Sequence, residues 1–168
     1  VCTYPSANGT DGEGSNGSFA LGTSADLINS IATHVAEAES KSQTLTETTF
    51  NKVLNSIAES RSITTKDNLA FLNFNKAGAL VATMGKCRVV QFRPNAEDMI
   101  YDSANQIVDI YSSKAAVELQ TDVMGGDIFL LCSNAKFDCH ELTKSILEDN
   151  SLKALSSCID AMEHKTSV

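Results

Sequence analysis

Two periodicities divide the chain. Between residues 23 and 60 apolar positions recur every three or four residues, whereas from 69 to 92 they alternate or gather in short runs. In the first part Leu27, Ile28, Ile31, Val35 and Ala38 share one helical face, and the spacing predicts an amphipathic helix over 23–39 resting on a core. Thr23 followed by Asp26 three positions later is a capping signal for its start. A second helix is expected over 46–60, with Phe50, Val53, Leu54, Ile57 and Ala58 on one face and a capping box from Thr44 to Glu47.

The alternation that follows reads as β-structure. LAFLNF (69–74), ALVATM (79–84) and CRVVQF (87–92) are separated by Asn75-Lys76-Ala77-Gly78 and by Gly85-Lys86, which predicts successive antiparallel hairpins, a meander. Residues 93–105 are a polar, acidic connection. QIVDIY (106–111), AVELQ (116–120) and DIFLLCS (127–133) supply three further strands, with a turn at Gly125-Gly126 before the last. Asp138 with Glu141 caps a third helix carrying Leu142, Ile146 and Leu147, and Leu152, Leu155, Cys158, Ile159 and Met162 mark a fourth. The stretch PSANGTDGEGSNGS (5–18) has no apolar period. Residues 1–22 therefore read as a Gly/Ser/Asn-rich loop and 23–168 as one α+β domain, the run of strands between helix pairs favouring a layered fold over βαβ alternation.

Composition narrows the classes of function. A length of 168 residues suits a single domain able to bury roughly 70% of its extended-chain surface. The formal net charge is −8, with no cluster of Lys and Arg, so the field repels polyphosphate backbones and favours a basic protein partner over nucleic acid. No apolar stretch approaches the roughly 20 residues of a membrane span. Five cysteines without a CxxC pair imply free thiols in a reducing compartment, and the cytoplasm is the expected location. Asn8-Gly9-Thr10 and Asn16-Gly17-Ser18 fit the glycosylation pattern, but no signal peptide precedes them.

Few residues suggest chemistry alone. Gly12 to Gly17, GEGSNG, satisfies GxGxxG, yet turn formers stand where a phosphate-binding loop needs a preceding strand, so a polar loop is expected. Asp11, followed at once by glycine, has the form of a residue that enters a metal site while the chain turns behind it. Cys132, Cys139 and His140 match no zinc spacing. Cys87 lies between Lys86 and Arg88, but neighbouring strand residues point to opposite faces. His34, His140 and His164 fall on expected helices without a triad partner, and Ser133 lacks the GxSxG context of a nucleophile.

Three segments, in order, resemble the metal-dependent protein phosphatases of type 2C. That family has Asp-Gly-x-Gly-Gly in a loop leading to two long helices, then strands around Gly-Asp-Ser-Arg, then an apolar strand ending in Ser-Asp-Gly. The counterparts are Asp11-Gly12-Glu13-Gly14-Ser15, ALVATMGKCRVVQF with Gly85-Lys86-Cys87-Arg88, and DIFLLCSNAKFD with Ser133-Asn134-Ala135. The resemblance implies an α+β fold, an antiparallel β-sandwich flanked by helix pairs, with two Mg²⁺ or Mn²⁺ ions that activate water against a phosphoester.

It also implies a decayed metal site. Asp11 matches a bridging aspartate, Gly12 a carbonyl ligand, and Asn134 stands where the family has an aspartate; Lys86 replaces the acid of Gly-Asp-Ser-Arg. Asp11, Gly12 and Asn134 are thus a vestigial metal set, with no cofactor expected. The function so implied is that of a non-catalytic, phosphatase-like protein that binds a protein partner, a phosphoprotein among the candidates. Two alternatives stay open. An active Mg²⁺- or Mn²⁺-dependent Ser/Thr phosphatase would draw ligands from outside the chain or from Asp102, Asp109, Asp122, Asp127 and Asp138, and an unrelated α+β interaction module would share only the motif order. Sheet edges left open by missing outer strands make homo-oligomers by edge pairing a further expectation.

Overall fold

The computed structural model of the chain describes residues 2–8, 16–60, 63, 64, 66–93, 96, 99–106, 115–133 and 144. The elements are β1 (Cys2–Asn8), β2 (Asn16–Gly22), α1 (Ala25–Ser40), α2 (Glu47–Ser60), β3 (Leu69–Asn75), β4 (Gly78–Met84), β5 (Arg88–Phe92), β6 (Tyr101–Asp102), a 3-10 turn at Ser103–Gln106, β7 (Ala116–Gln120) and β8 (Ile128–Cys132). The fold is α+β. One antiparallel sheet runs β1-β2-β3-β4-β7 and a second runs β6-β5-β8.

Each helix forms where its apolar stripe lies, and each cap differs from the sequence expectation by a residue or two. Ser24, not Thr23, caps α1, its Oγ accepting from Leu27 N at 3.3 Å. Thr23 is otherwise engaged. Its Oγ1 accepts from Asn68 N at 3.2 Å and donates to Lys66 O, which fastens the start of the helix to the approach of β3. At α2 the reciprocal pair is Thr46 and Thr49: Thr46 N donates to Thr49 Oγ1 at 2.6 Å and Thr49 N donates to Thr46 Oγ1 at 3.2 Å, a capping box shifted along the chain from the expected Thr44–Glu47.

Two cores result from the alternation of strand side chains. On the helix side, Leu27, Ile28, Ile31 and Val35 of α1 and Phe50, Leu54 and Ile57 of α2 pack on Ala20, Leu69, Phe71, Leu80, Ala82 and Met84. Phe50 stacks on Phe71 with ring centroids 4.4 Å apart. Between the sheets, Ala70, Leu72, Ala79 and Val81 meet Cys87 and Val89, with Phe129, Leu131 and Tyr101 against them. The central strands β3 and β4 are therefore buried on both faces, which explains why they read as nearly continuous apolar runs.

Two expectations need correction. β4 and β5 are not a hairpin: β4 pairs with β7, and the chain crosses at Gly85-Lys86 into the second sheet, where β5 pairs with β6 and β8. Gly85, at φ 68°, makes that crossing possible, since a Cβ there would collide with Asn68 Oδ1. Nor are residues 1–22 all loop, because Cys2–Asn8 and Asn16–Gly22 pair as β1 and β2. Ladder bonds to β3 fix β2 despite its glycines. The short β6 falls inside the segment read as a polar connection. The residues expected to form a strand over 107–111 and the third and fourth helices lie outside those described, apart from Lys144.

The stacked sheets have two ends. At the Gly85 end lie the β2–α1 turn, the approach to β3, the β4–β5 crossing and Cys132, paired with Arg88. At the Asp127 end lie the β3–β4 turn, Asn8 and Asn16, and the connection from β7 to β8.

Candidate functional site

The strand register gathers two of the three segments singled out in the sequence at the Gly85 end. Gly85-Lys86-Cys87-Arg88 forms the crossing, and β8 ends beside it at Cys132 with Ser133 exposed. Asp11, Gly12 and Asn134 lie outside the described residues. The strands that bracket Asp11 and Gly12 meet at Asn8 and Asn16, at the opposite end of the sheets from Ser133, and β2 stands between that connection and α1.

Hydrogen bonds among turns close the Gly85 end. Asn68 is its hub: its Oδ1 accepts from Lys86 N at 2.7 Å, its Nδ2 donates to Lys66 O at 3.1 Å, and its backbone bonds Thr23 in both directions. Lys66 and Lys86 are exposed, while Asp67 turns inward, its Oδ2 accepting from Thr64 N at 2.8 Å. Arg88 lies on the outer face of the second sheet. Its Nε donates to Asp102 Oδ1 at 2.7 Å, its Nη2 to Asp102 Oδ2, and both side chains are about a tenth exposed. Asp102 Oδ1 also accepts from Ala104 N, and Ser103 Oγ accepts from Val89 N at 2.8 Å, so the 3-10 turn is riveted to β5. Cys87 is sealed between the sheets, and burial pushes its thiol up to about 11, the reverse of a reactive cysteine.

The Asp127 end carries a charge cluster that sequence reasoning missed. Arg93 Nε donates to Asp127 Oδ1 at 2.9 Å and Nη2 donates to Asp122 Oδ1 at 2.8 Å. Gln91, wholly buried, donates Nε2 to Asp127 Oδ2 and to Asp122 O, each at 2.7 Å, and its Oε1 accepts from Gln120 Nε2. Met124 N adds a further bond to Asp127 Oδ2. Burial alone would raise the Asp127 carboxyl, but the bonds from Arg93, Met124 N and Gln91, with the charge of Arg93, outweigh it and hold it below the usual carboxylate range. The cluster pins the β7–β8 connection to β5. Nearby, Tyr101 Oη donates to Glu118 Oε2 at 3.2 Å and joins the sheets; burial, then the Glu118 charge, raises its phenol.

No protein-family model matches the chain, and no curated protein matches its sequence.

The described carboxylates that the sequence offered to a divalent cation are each engaged by an arginine. Asp102 holds Arg88, and Asp122 and Asp127 both hold Arg93; Asp109 and Asp138 lie outside the described residues. The partners are 14 to 34 positions apart, a range that neither helical nor strand spacing exposes. His34 sits on α1 with Nδ1 2.8 Å from Ser30 O, as expected of a helix-surface histidine. Cys139, His140 and His164 lie outside the described residues. No described helix is long and apolar enough to cross a membrane.

Proposed function

We propose that the chain is a non-catalytic, type 2C phosphatase-like protein whose role is to bind another protein, with phosphoproteins as the partner class that the resemblance favours. The reading takes the two stacked antiparallel sheets, with α1 and α2 on the outer face of one, as part of a sandwich flanked by helix pairs. One observation supports the loss of catalysis: Asp102 is paired with Arg88, and Asp122 and Asp127 share Arg93. Two divalent ions need several hard anionic oxygens in common, and an arginine-paired carboxylate would have to give up charge-assisted hydrogen bonds to supply them. Lys86 adds positive charge at the crossing where the family pattern has an acid.

A phosphatase assay tests this. Purified chain with saturating Mn²⁺ and a generic phosphoester is expected to give no turnover above the rate with metal and buffer alone. Turnover that scales with protein and is abolished by chelator would overturn the reading.

A further inference from the structure

We propose that the buried pair Ser18 and Asn73 is a register lock: it holds β2, and with it the β1–β2 hairpin, at one alignment on β3. The strand needs such a device. NGSFALG (16–22) is built largely of small and polar residues that specify pairing weakly, and weakly specified strands slip along their neighbours. Ser18 and Asn73 stand opposite each other across the two strands, on the helix side of the sheet, and both are almost wholly buried.

Their polar atoms are matched to one another. Asn73 Nδ2 donates to Ser18 Oγ at 2.8 Å, and the Ser18 hydroxyl donates in turn to Glu39 Oε1 of α1 at 3.5 Å. Asn73 Oδ1 accepts from Asn75 Nδ2 at 3.3 Å, and that amide also donates to Leu45 O at 3.2 Å. One network thus joins β2 to β3, to the last turn of α1 and to the connection between the helices. Apolar neighbours pack at several alignments, whereas a buried amide is satisfied only where a partner meets it.

Each other alignment meets its own penalty. A one-residue shift turns Phe19 and Leu21 toward the helices and Ser18 and Ala20 toward the second sheet. A two-residue shift that sets Ala20 at the place of Gly22 drives a Cβ to 2.7 Å from Asn68 O. The opposite two-residue shift sets Ala20 across from Asn73 and leaves that buried amide without the Ser18 hydroxyl. Gly22 closes one direction and the polar pair the other. The lock bears on the segment that carries Asp11 and Gly12, because two residues of slip would move the strand ends bracketing it by about 7 Å. It is independent of the phosphatase-like reading.

The double variant Ser18→Ala/Asn73→Leu tests the lock. It removes both polar partners and fills the site with carbon, while Glu39 and Asn75 keep access to water. Its urea midpoint should stay close to that of the natural chain. Its amides 17–22 should exchange at least about tenfold faster relative to those of β3, and their NMR signals should divide into more than one set. Leu21→Ala, which leaves the pair intact, should lower the midpoint and keep one set. In the natural chain the β2 amides bonded to β3 should be protected to within about tenfold of their β3 partners, as a single set. A second set in the natural chain would overturn the proposal. So would a double variant that fails to fold or that keeps one set with undiminished β2 protection, or a Leu21→Ala chain whose β2 signals divide as well.

Discussion

The two ends of the stacked sheets are held by different chemistry. At the Asp127 end the long β7–β8 connection is tied down by charge, with Arg93 between Asp122 and Asp127 and Gln91 beneath them. At the Gly85 end the turns are tied by Asn68 and Thr23, with the buried Asp67 carboxylate accepting from Thr64 N, and Lys66 and Lys86 hold exposed amines there. The difference teaches where this chain has spent its acids. Asp122 and Asp127 share Arg93 at one end, and Asp102 holds Arg88 toward the other, where the exposed turns rest on Asn68 and Thr23.

Breaking the charged end should cost most. Asp127→Ala strips the acceptor from Arg93, Gln91 and Met124 N at once and is expected to lower stability by about 3 kcal/mol, read as a fall in urea midpoint. Next in size is an alkaline effect at the other end. Because the folded Cys87 thiol ionises near 11 against an ordinary 9.0, stability is intact below pH 9 and falls by at most about 2 kcal/mol as pH rises to 11; Cys87→Ala should remove that slope.

Gly85→Ala, which forces a Cβ onto Asn68 at positive φ, should cost about 1–2 kcal/mol. Asn68→Ala, which frees Lys86 N in a partly exposed turn, should cost about 1 kcal/mol. If the Gly85 end proves the costlier, the contrast between the ends is wrong. The gentlest probe is acid. Asp127 has a lowered folded value, so its contribution is present above the ordinary carboxylate pKa of about 3.9 and is lost as pH falls below it. Unfolding curves of Asp127→Ala should lack that acid limb.

Much of this architecture was legible because it is local. The stripes of α1 and α2 and the runs of β3, β4, β7 and β8 lie within a residue or two of their expected places, since one face of each is set by burial. What was not legible depends on partners far away in sequence. β1 and β2 carry Gly, Ser and Asn and are strands because β3 supplies the ladder. The crossing after β4 looks like a hairpin turn until β7 takes the place beside β4. Asp122 and Asp127 read as candidate metal ligands because nothing in their spacing announces Arg93.

The central claim is that this chain no longer assembles a pair of divalent ions. Calorimetric titration with Mn²⁺, on the natural chain and on Asn134→Asp, tests it most directly. The account predicts no two-site binding by the natural chain, and metal taken up by Asn134→Asp alone would place the decay at that position. Tight two-site binding by the natural chain, with phosphoester turnover alongside, would contradict it.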